Sequence, residues 1–570
     1  MVTHNNIIDI LQYRAKHQPD EVLYRFQHDG DSEADTLTYA ELYHRACVIA
    51  LHIQQKADKH ERVVLLYEPG LEFICALFAC FLAGVIAVPA YPPNPYQLTS
   101  SLAKLELLLQ DAAPKLICCS SRVLALLRMT QVKDAVSRWV GRLRGEENTV
   151  LRLAHIEKLN TESIKLAAGE FDMSSPLVTD VAYLQYTSGS TGNPKGVMVT
   201  HGNVMSNSVA IQHAFDHSAS SRGLIWLPPY HDMGLIGGII QPLFVGFPCV
   251  LFSPLRFIQN PLLWLRFIER YQATTSGGPN FAYALCAKLL KTTSEQFDLS
   301  SWRVAFCGAE PLNVDLLNDF CDQASKHRFD GRAFYPCYGL AEHTLIAAGG
   351  TCRSGLQAVS AQKLGMDDQT TSYVCCGRAM PDHEMNIVDP DSHTICNDRE
   401  VGEVWLRGPS VAQGYWRNPQ ATEVAFNAWT DEGVGPFFRA GDLGLIDNNE
   451  LYVIGRIKDM LIIAGRNIAP QDIEFTVEQA HAMCRKGCSV AFSVETTGQA
   501  SDTVVVAVEI KKEVKAKQHD DILNTIVQQV LAEHSVVHLT VLLLSPNLVL
   551  KTTSGKVRRQ ACKASFVNGS

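Results

Sequence analysis

Short β-branched or apolar runs recur along the first three hundred residues, separated by stretches of helix length. Arg62–Tyr67, Val85–Val88, Lys115–Cys118, Gly223–Trp226, Cys249–Phe252, Ala273–Ser276 and Arg303–Phe306 read as strands. Strands joined through helices imply parallel sheets, because a parallel pair needs a long crossover rather than a hairpin. Two uncharged runs, Phe73–Tyr91 and Met233–Leu255, reach bilayer-spanning length, but both carry Gly and Pro (Gly84, Pro89; Gly237, Gly238, Pro242, Gly246, Pro248). Each is expected to split into a buried helix and a short strand, as Phe73–Ala83 then Val85–Pro89, so no membrane span is expected.

Past about Thr351 the texture changes. Val374–Val388, Gly402–Arg407 and Leu443–Ile454 are closely spaced strand runs with turn residues such as Asp447-Asn448-Asn449, which suits a small antiparallel or barrel-like unit. From about Lys458, strands at Cys488–Val494 and Thr503–Lys511 and a helix over Asp520–His534 suit a separate α+β domain. The expected fold class is α/β. A large N-terminal domain, residues 1–457, holds two parallel-sheet α/β subdomains plus a small β-barrel-like subdomain, and a small α+β C-terminal domain covers 458–570.

Composition narrows this picture only at its edges. A chain of 570 residues exceeds what one hydrophobic core organises, and 46% hydrophobic with 19% charged residues describes a globular protein. The net charge of −9 argues against a nucleic-acid partner. There are 17 Cys without paired zinc-like spacing: Cys118-Cys119 and Cys375-Cys376 are adjacent, and Cys484 to Cys488 is a lone C-x-x-x-C. With no secretory leader at Met1–Ile10, reduced and mostly buried thiols in the cytoplasm are expected.

The chemistry is announced by Tyr186–Gly196, YTSGSTGNPKG, with three Gly, four Ser or Thr and one Lys in eleven residues behind the apolar lead Val181–Tyr186. Small residues let a backbone approach a ligand closely, successive N–H groups form an anion-binding nest, and Lys195 adds a cation. The spacing is neither a Walker loop nor a dinucleotide fingerprint, since five residues after Gly189 comes Pro194. A phosphate cradle of a third kind remains, against the plain alternative of a surface loop.

The longer string YTSGSTGNPKGVMVTH (186–201) resembles the signature loop of the adenylate-forming enzymes: acyl-CoA synthetases, nonribosomal peptide adenylation domains, luciferases and fatty acyl-AMP ligases. The resemblance extends over essentially the whole chain. It implies ATP and Mg²⁺, with the β,γ-phosphates on Thr187, Ser188, Gly189, Ser190, Thr191, Gly192 and Lys195. Phe306–Pro311 (FCGAEP) is similar to the adenine-side loop, placing Gly308, Ala309, Glu310 and Pro311 at the base. In YGLAEHTL (338–345), Tyr338, Gly339, Leu340 and Ala341 belong to the nucleotide site and Glu342 is the implied metal carboxylate. Asp442 in FFRAGDLG (437–444) is the implied ribose acceptor, Arg456 a second ribose or phosphate contact, and Lys458 the implied hinge of a mobile C-terminal domain.

Lys556 in LKTTSGKVRR (550–559) matches the family's catalytic lysine, a cation able to touch both the attacking carboxylate and the α-phosphate. On the acyl side, WLPPYHDMGLIGGIIQPL (226–243) and SGGPNFAYAL (276–285) imply His231, Met233, Gly234 and Phe281 around the substrate, with His231 near the carboxylate. No charged residue lies between Asp232 and Arg256, so an ionic partner for an amino acid is not evident.

Two features point within the family to fatty acyl-AMP ligases. VPAYPPNP (88–95) is similar to that branch's early junction, and Cys352–Thr371 stands where the branch carries an insertion that impedes coenzyme A. The implied reaction activates a medium- to long-chain fatty acid as acyl-AMP and passes it to a holo acyl carrier protein or a carrier domain of a polyketide or nonribosomal peptide synthase. A fatty acyl-CoA ligase and a non-catalytic adenylate-binding regulator remain the alternatives.

Overall fold

Two mixed sheets organise the larger part of the chain. In the computed structural model, residues 4–29, 33–95, 98–129, 152–165, 173, 175–187, 194–365, 372–463, 466–494, 503–534, 536, 538–551 and 556–569 are described. The first sheet runs Glu157–Asn160, Leu116–Cys119, Arg62–Leu66, Ile86–Ala90, Val181–Thr187, Lys195–Thr200, parallel except for its last pair. The second runs Arg378–Ala379, Ile346–Gly349, Phe334–Gly339, Val304–Cys307, Thr275–Gly277, Gly223–Ile225, Cys249–Phe252, Val22–Gln27, Asp35–Thr38. Its interior is parallel and its edges close antiparallel. The interior strands are buried on both faces, which is why they read as continuous apolar runs rather than alternating ones.

The sheets share one core, into which the helix Leu71–Ala83 puts eleven fully buried residues from Phe73 on. The uncharged run from Met233 keeps to protein interior as expected, but its helical part is unusual. Met233–Ile240 is a π-helix that continues as the α-helix Gln241–Val245. Pro242, which has no N–H to give to the helix ladder, falls where the π-helix passes into the α segment. π-Segments are rare and cluster at functional sites.

The antiparallel part is a four-stranded meander, Glu384–Val388, Gly402–Arg407, Phe438–Asp447 and Glu450–Arg456. It is tied back to the larger sheets by Asn203. This residue caps the helix His201–Ala214 with Thr200, and its Nδ2 donates to the carbonyls of Pro409 and Val411. Ala358–Ser360, within 352–371, pairs with Ser372–Val374 just beyond that segment, and Ala361 and Leu364 bury themselves against Leu445, Tyr452 and Ile454. The C-terminal part is a three-stranded sheet, Cys484–Val494, Thr503–Ile510 and Leu539–Leu544. The helices Pro470–Ala480 and His519–His534 seal it through Ile473, Val477, Ile522, Ile526 and Val530. No helix among the described residues is long and apolar enough to cross a membrane.

Candidate active site

A cleft of about 4000 Å³ lies where the ends of both sheets, the meander and the C-terminal part meet. The hairpin Val181–Thr187 and Lys195–Thr200 enters it, with Thr187 paired opposite Lys195. Ser188, Gly189, Ser190, Thr191 and Gly192 lie outside the described residues. Lys195 places its ammonium 4.5 Å from the centroid of the Tyr415 ring, and the Tyr415 hydroxyl donates to Glu342 Oε1 at 2.9 Å. A chain of contacts therefore joins the phosphate hairpin to the candidate metal carboxylate. Glu342 stands on a single 3₁₀ turn, Ala341–His343, and burial pushes its carboxyl above the usual range, opposed by the Tyr415 hydrogen bond.

Asp442 is held from two sides. Tyr338 donates its hydroxyl to Oδ2 at 2.7 Å, and Arg456 Nε donates to Oδ1 at 3.1 Å. The pairing of Asp442 with Arg456 across adjacent strands fixes this geometry through backbone register. The strand Val304–Cys307 delivers the turn Gly308–Pro311 to the same wall. A side chain at Gly308 would meet the carbonyl of Cys337 at 2.6 Å, so only Gly fits there. Gly339, Leu340 and Ala341 line the same cleft.

His231 and Asp232 form a close pair, Nδ1 to Oδ1 at 2.6 Å, and Asp232 also caps the π-helix by accepting the Met233 N–H at 2.7 Å. Met233 and Phe281 line the cavity, and Phe281 meets Trp226 edge-on at 6.0 Å. Gly234 packs against the backbone of Pro228, where a Cβ would collide at 2.0 Å.

Lys556 reaches into this cleft from the C-terminal part. Burial lowers its pKa, while Asp232 and Glu310 act in the opposite sense, followed by Asp442. Burial raises Asp232, but His231 and then Lys556 pull its carboxyl net below the usual range. Glu310 stays raised by burial despite Lys556. Lys458 lines the cleft on a 3₁₀ turn, Ile457–Asp459. Behind it Arg559, buried, ion-pairs with Asp459 at 3.2 Å and Glu474 at 2.7 Å, and Gln560 donates to the Lys458 carbonyl.

The described sequence candidates thus line one cleft, except Gly234, which is packed against the Leu227–Pro228 backbone and does not face it. Three neighbours were not singled out from sequence. Asp232 was legible only as the residue after His231. Tyr415 has no motif of its own, and the Arg559 ion pairs join segments about a hundred residues apart. Among the described residues no cluster of three His, Cys, Asp or Glu is arranged to hold a metal by itself.

Comparison with known proteins agrees with this arrangement. Residues 11–416 match the AMP-binding enzyme family, and residues 458–570 match the AMP domain of Disco-interacting protein 2-like proteins. The chain is 38% identical to the medium-chain-fatty-acid–[acyl-carrier-protein] ligase JamA of Moorena producens, over 99% of this chain and 95% of that one. It is 32% identical to the ligase of the same description, TtuA, of Teredinibacter turnerae, over 97% and 92%. The fatty acyl-adenylate ligase of L. pneumophila, solved with acyl adenylate and pyrophosphate, superposes with a TM-score of 0.72 at 34% identity, covering 100% of this chain and 97% of that one. The chain belongs to the AMP-binding enzymes, the adenylate-forming family, among relatives named as fatty acyl-adenylate and fatty acid–carrier protein ligases.

Proposed function

We propose that the protein activates a medium- to long-chain fatty acid with ATP to give acyl-AMP and pyrophosphate. It then transfers the acyl group to the phosphopantetheine thiol of a holo acyl carrier protein, forming a thioester and releasing AMP. The observation that carries the reading is Lys556, held in the cleft among Asp232, Glu310 and Asp442 and at the junction of the nucleotide and acyl walls. In the first half-reaction Thr187 and Lys195 hold the β,γ-phosphates, Gly308–Pro311 and Tyr338 flank the base, and Asp442 accepts from the ribose hydroxyls with Arg456 beside it. Lys556 brings the carboxylate and α-phosphate together and stabilises the charge that grows between them. Such catalysis is positioning and electrostatics. His231, oriented by Asp232, stands at the carboxylate end of the acyl pocket.

Glu342 is the residue that would hold Mg²⁺. A hard carboxylate oxygen suits an ion that shares its coordination with substrate phosphates and water. When bound, Mg²⁺ neutralises phosphate charge. For the second half-reaction the C-terminal domain, residues 458–570, turns about Lys458 and withdraws Lys556. The Arg559 and Gln560 contacts to Asp459 and Lys458 make the catalytic loop and the hinge one unit, so they travel together. The cysteines are all free and mostly buried, in keeping with a cytoplasmic enzyme.

The deciding experiment supplies ATP and a fatty acid with either coenzyme A or a holo carrier protein. Acyl transfer to the carrier protein with little acyl-CoA is expected. Rapid acyl-CoA formation would overturn the acceptor, and absence of fatty-acid-dependent pyrophosphate exchange would overturn the activation step.

A further inference from the structure

One arm of the cleft runs inward from the acyl site, between the second sheet and the helices that cover it. It passes from Trp226 to Gly223, three residues along one strand and so roughly 10 Å at the rise of an extended chain. Its wall is apolar, with Ile211, Phe215, Ile225 and Phe306. Gly237 keeps it open, since a Cβ there would meet nothing within 4 Å.

Besides Thr275, which pairs with Gly223 across the sheet, and the Trp226 indole at the outer end, whose Nε1 is likewise without a protein partner, two polar side chains interrupt this wall. Gln241 lies one turn beyond Gly237 and is 0% exposed; its Nε2 donates to the Ser208 carbonyl at 3.2 Å, and its Oε1 has no protein partner. His217 follows the end of the helix His201–Ala214, is 8% exposed, and has no protein partner on either ring nitrogen. Its ring is held edge-on by Phe215 and Phe247, with centroids 5.3 and 5.0 Å away. Both residues line the cavity. A packed core histidine normally has at least one nitrogen bonded, because an unmatched buried polar atom is costly. Two such residues along one apolar arm amount to hydrogen-bonding capacity directed at whatever fills it.

We propose that this arm receives the far end of an acyl chain that carries a neutral hydroxyl, bonded by His217 and Gln241. The hydroxyl is the fitting group because it both donates and accepts, as the two side chains require. Burial takes His217 down to about 3, so at neutral pH its ring offers one donor and one acceptor. None of the described side chains lining this arm is charged, so a terminal carboxylate or ammonium would be desolvated without a counter-ion. A terminal methyl would cover the polar atoms and match none.

The proposal rests on fatty-acid activation as read above, and the test separates the two. Pyrophosphate exchange is measured for straight-chain acids over a range of lengths, each offered with a terminal methyl and with a terminal hydroxyl. At the preferred length kcat/KM should favour the hydroxy acid by about tenfold or more, as expected where buried polar groups are left unmatched by the analogue. His217→Phe should bring that ratio to about one or below while raising turnover of the methyl acid. Gln241→Met should lower the ratio in the same direction. A preference for the methyl acid at every length, or a ratio unmoved in both variants, overturns the hydroxyl assignment alone. Exchange with no fatty acid of either kind overturns the activation reading and this one with it.

Discussion

Tyr415 joins the phosphate hairpin to Glu342, and removing its hydroxyl tests whether that link tunes the carboxylate. In Tyr415→Phe the ring stays under Lys195, 4.5 Å from its ammonium, while the 2.9 Å hydrogen bond to Glu342 is lost. Hydrogen bonds to charged groups contribute about 1.5–3 kcal/mol. Glu342 keeps some solvent exposure, so the lower end, about 1.5 kcal/mol, is appropriate, which corresponds to roughly one pH unit. The sign follows from the carboxyl. Burial already raises it, Tyr415 lowers it, and losing Tyr415 must raise it further. Adenylation that needs the carboxylate is lost as pH falls through this value, so the acid limb should move up by roughly one pH unit, with the alkaline plateau nearly unchanged. The assay is fatty-acid-dependent ATP–pyrophosphate exchange as a function of pH. Tyr415→Leu, which loses the ring as well, should in addition raise KM for ATP about two- to fivefold, from a cation–π contact of roughly 0.5–1 kcal/mol. An acid limb that stays put or moves down in Tyr415→Phe would refute the link.

Lys556→Ala should slow acyl-adenylate formation by about 10²–10³ while sparing transfer from preformed acyl-AMP to carrier protein, as judged by single-turnover assays of each step; equal loss in both would sink the division of roles. Its burial-lowered pKa also predicts that the alkaline limb of adenylation lies below the ordinary lysine range, because the ammonium is lost as pH rises through that lowered value. Leu364→Asp should undock the turn after Ala358–Ser360 from Leu445, Tyr452 and Ile454 and raise coenzyme A-dependent turnover relative to carrier-protein turnover; an unchanged ratio of the two rates counts against a gating role for 352–371. Arg559→Met leaves Glu474 and Asp459 without their buried cation and should destabilise the C-terminal domain by about 3–5 kcal/mol, read as a lower denaturation midpoint; an unchanged midpoint would show that the triad contributes little.

Much of the fold was visible in local patterning. Cys249–Phe252 and Gly402–Arg407 form strands with the bounds their residue pattern implied, and Arg62–Leu66 and Thr503–Ile510 differ by a single terminal residue. Runs such as Cys249–Phe252 are legible because a strand buried on both faces is apolar throughout, and the others because β-branched and aromatic residues cluster between turn signals. The π-helix at Met233–Ile240 was not legible, since its apolar content suits an α-helix equally well.

The site divides in the same way. Residues assigned to ligand through an ordered string, such as Tyr186–Gly196 or Phe437–Gly444, carry their signal in neighbours along the chain, because a loop proposed to cradle a phosphate or present a carboxylate must be chemically complete. Tyr415 under Lys195, Asp232 facing Lys556, and Arg559 clasping Asp459 and Glu474 join segments far apart in sequence. Nothing local requires those partners; each is imposed by the desolvation of a charge that the folded chain has buried. The sequence by itself therefore determined the family, the strands and the loops proposed to hold nucleotide. The tertiary structure decided which distant side chains set the charge of those groups, and that His217 and Gln241 stand unmatched on an apolar arm, because burial and pairing exist only once the chain has closed on itself.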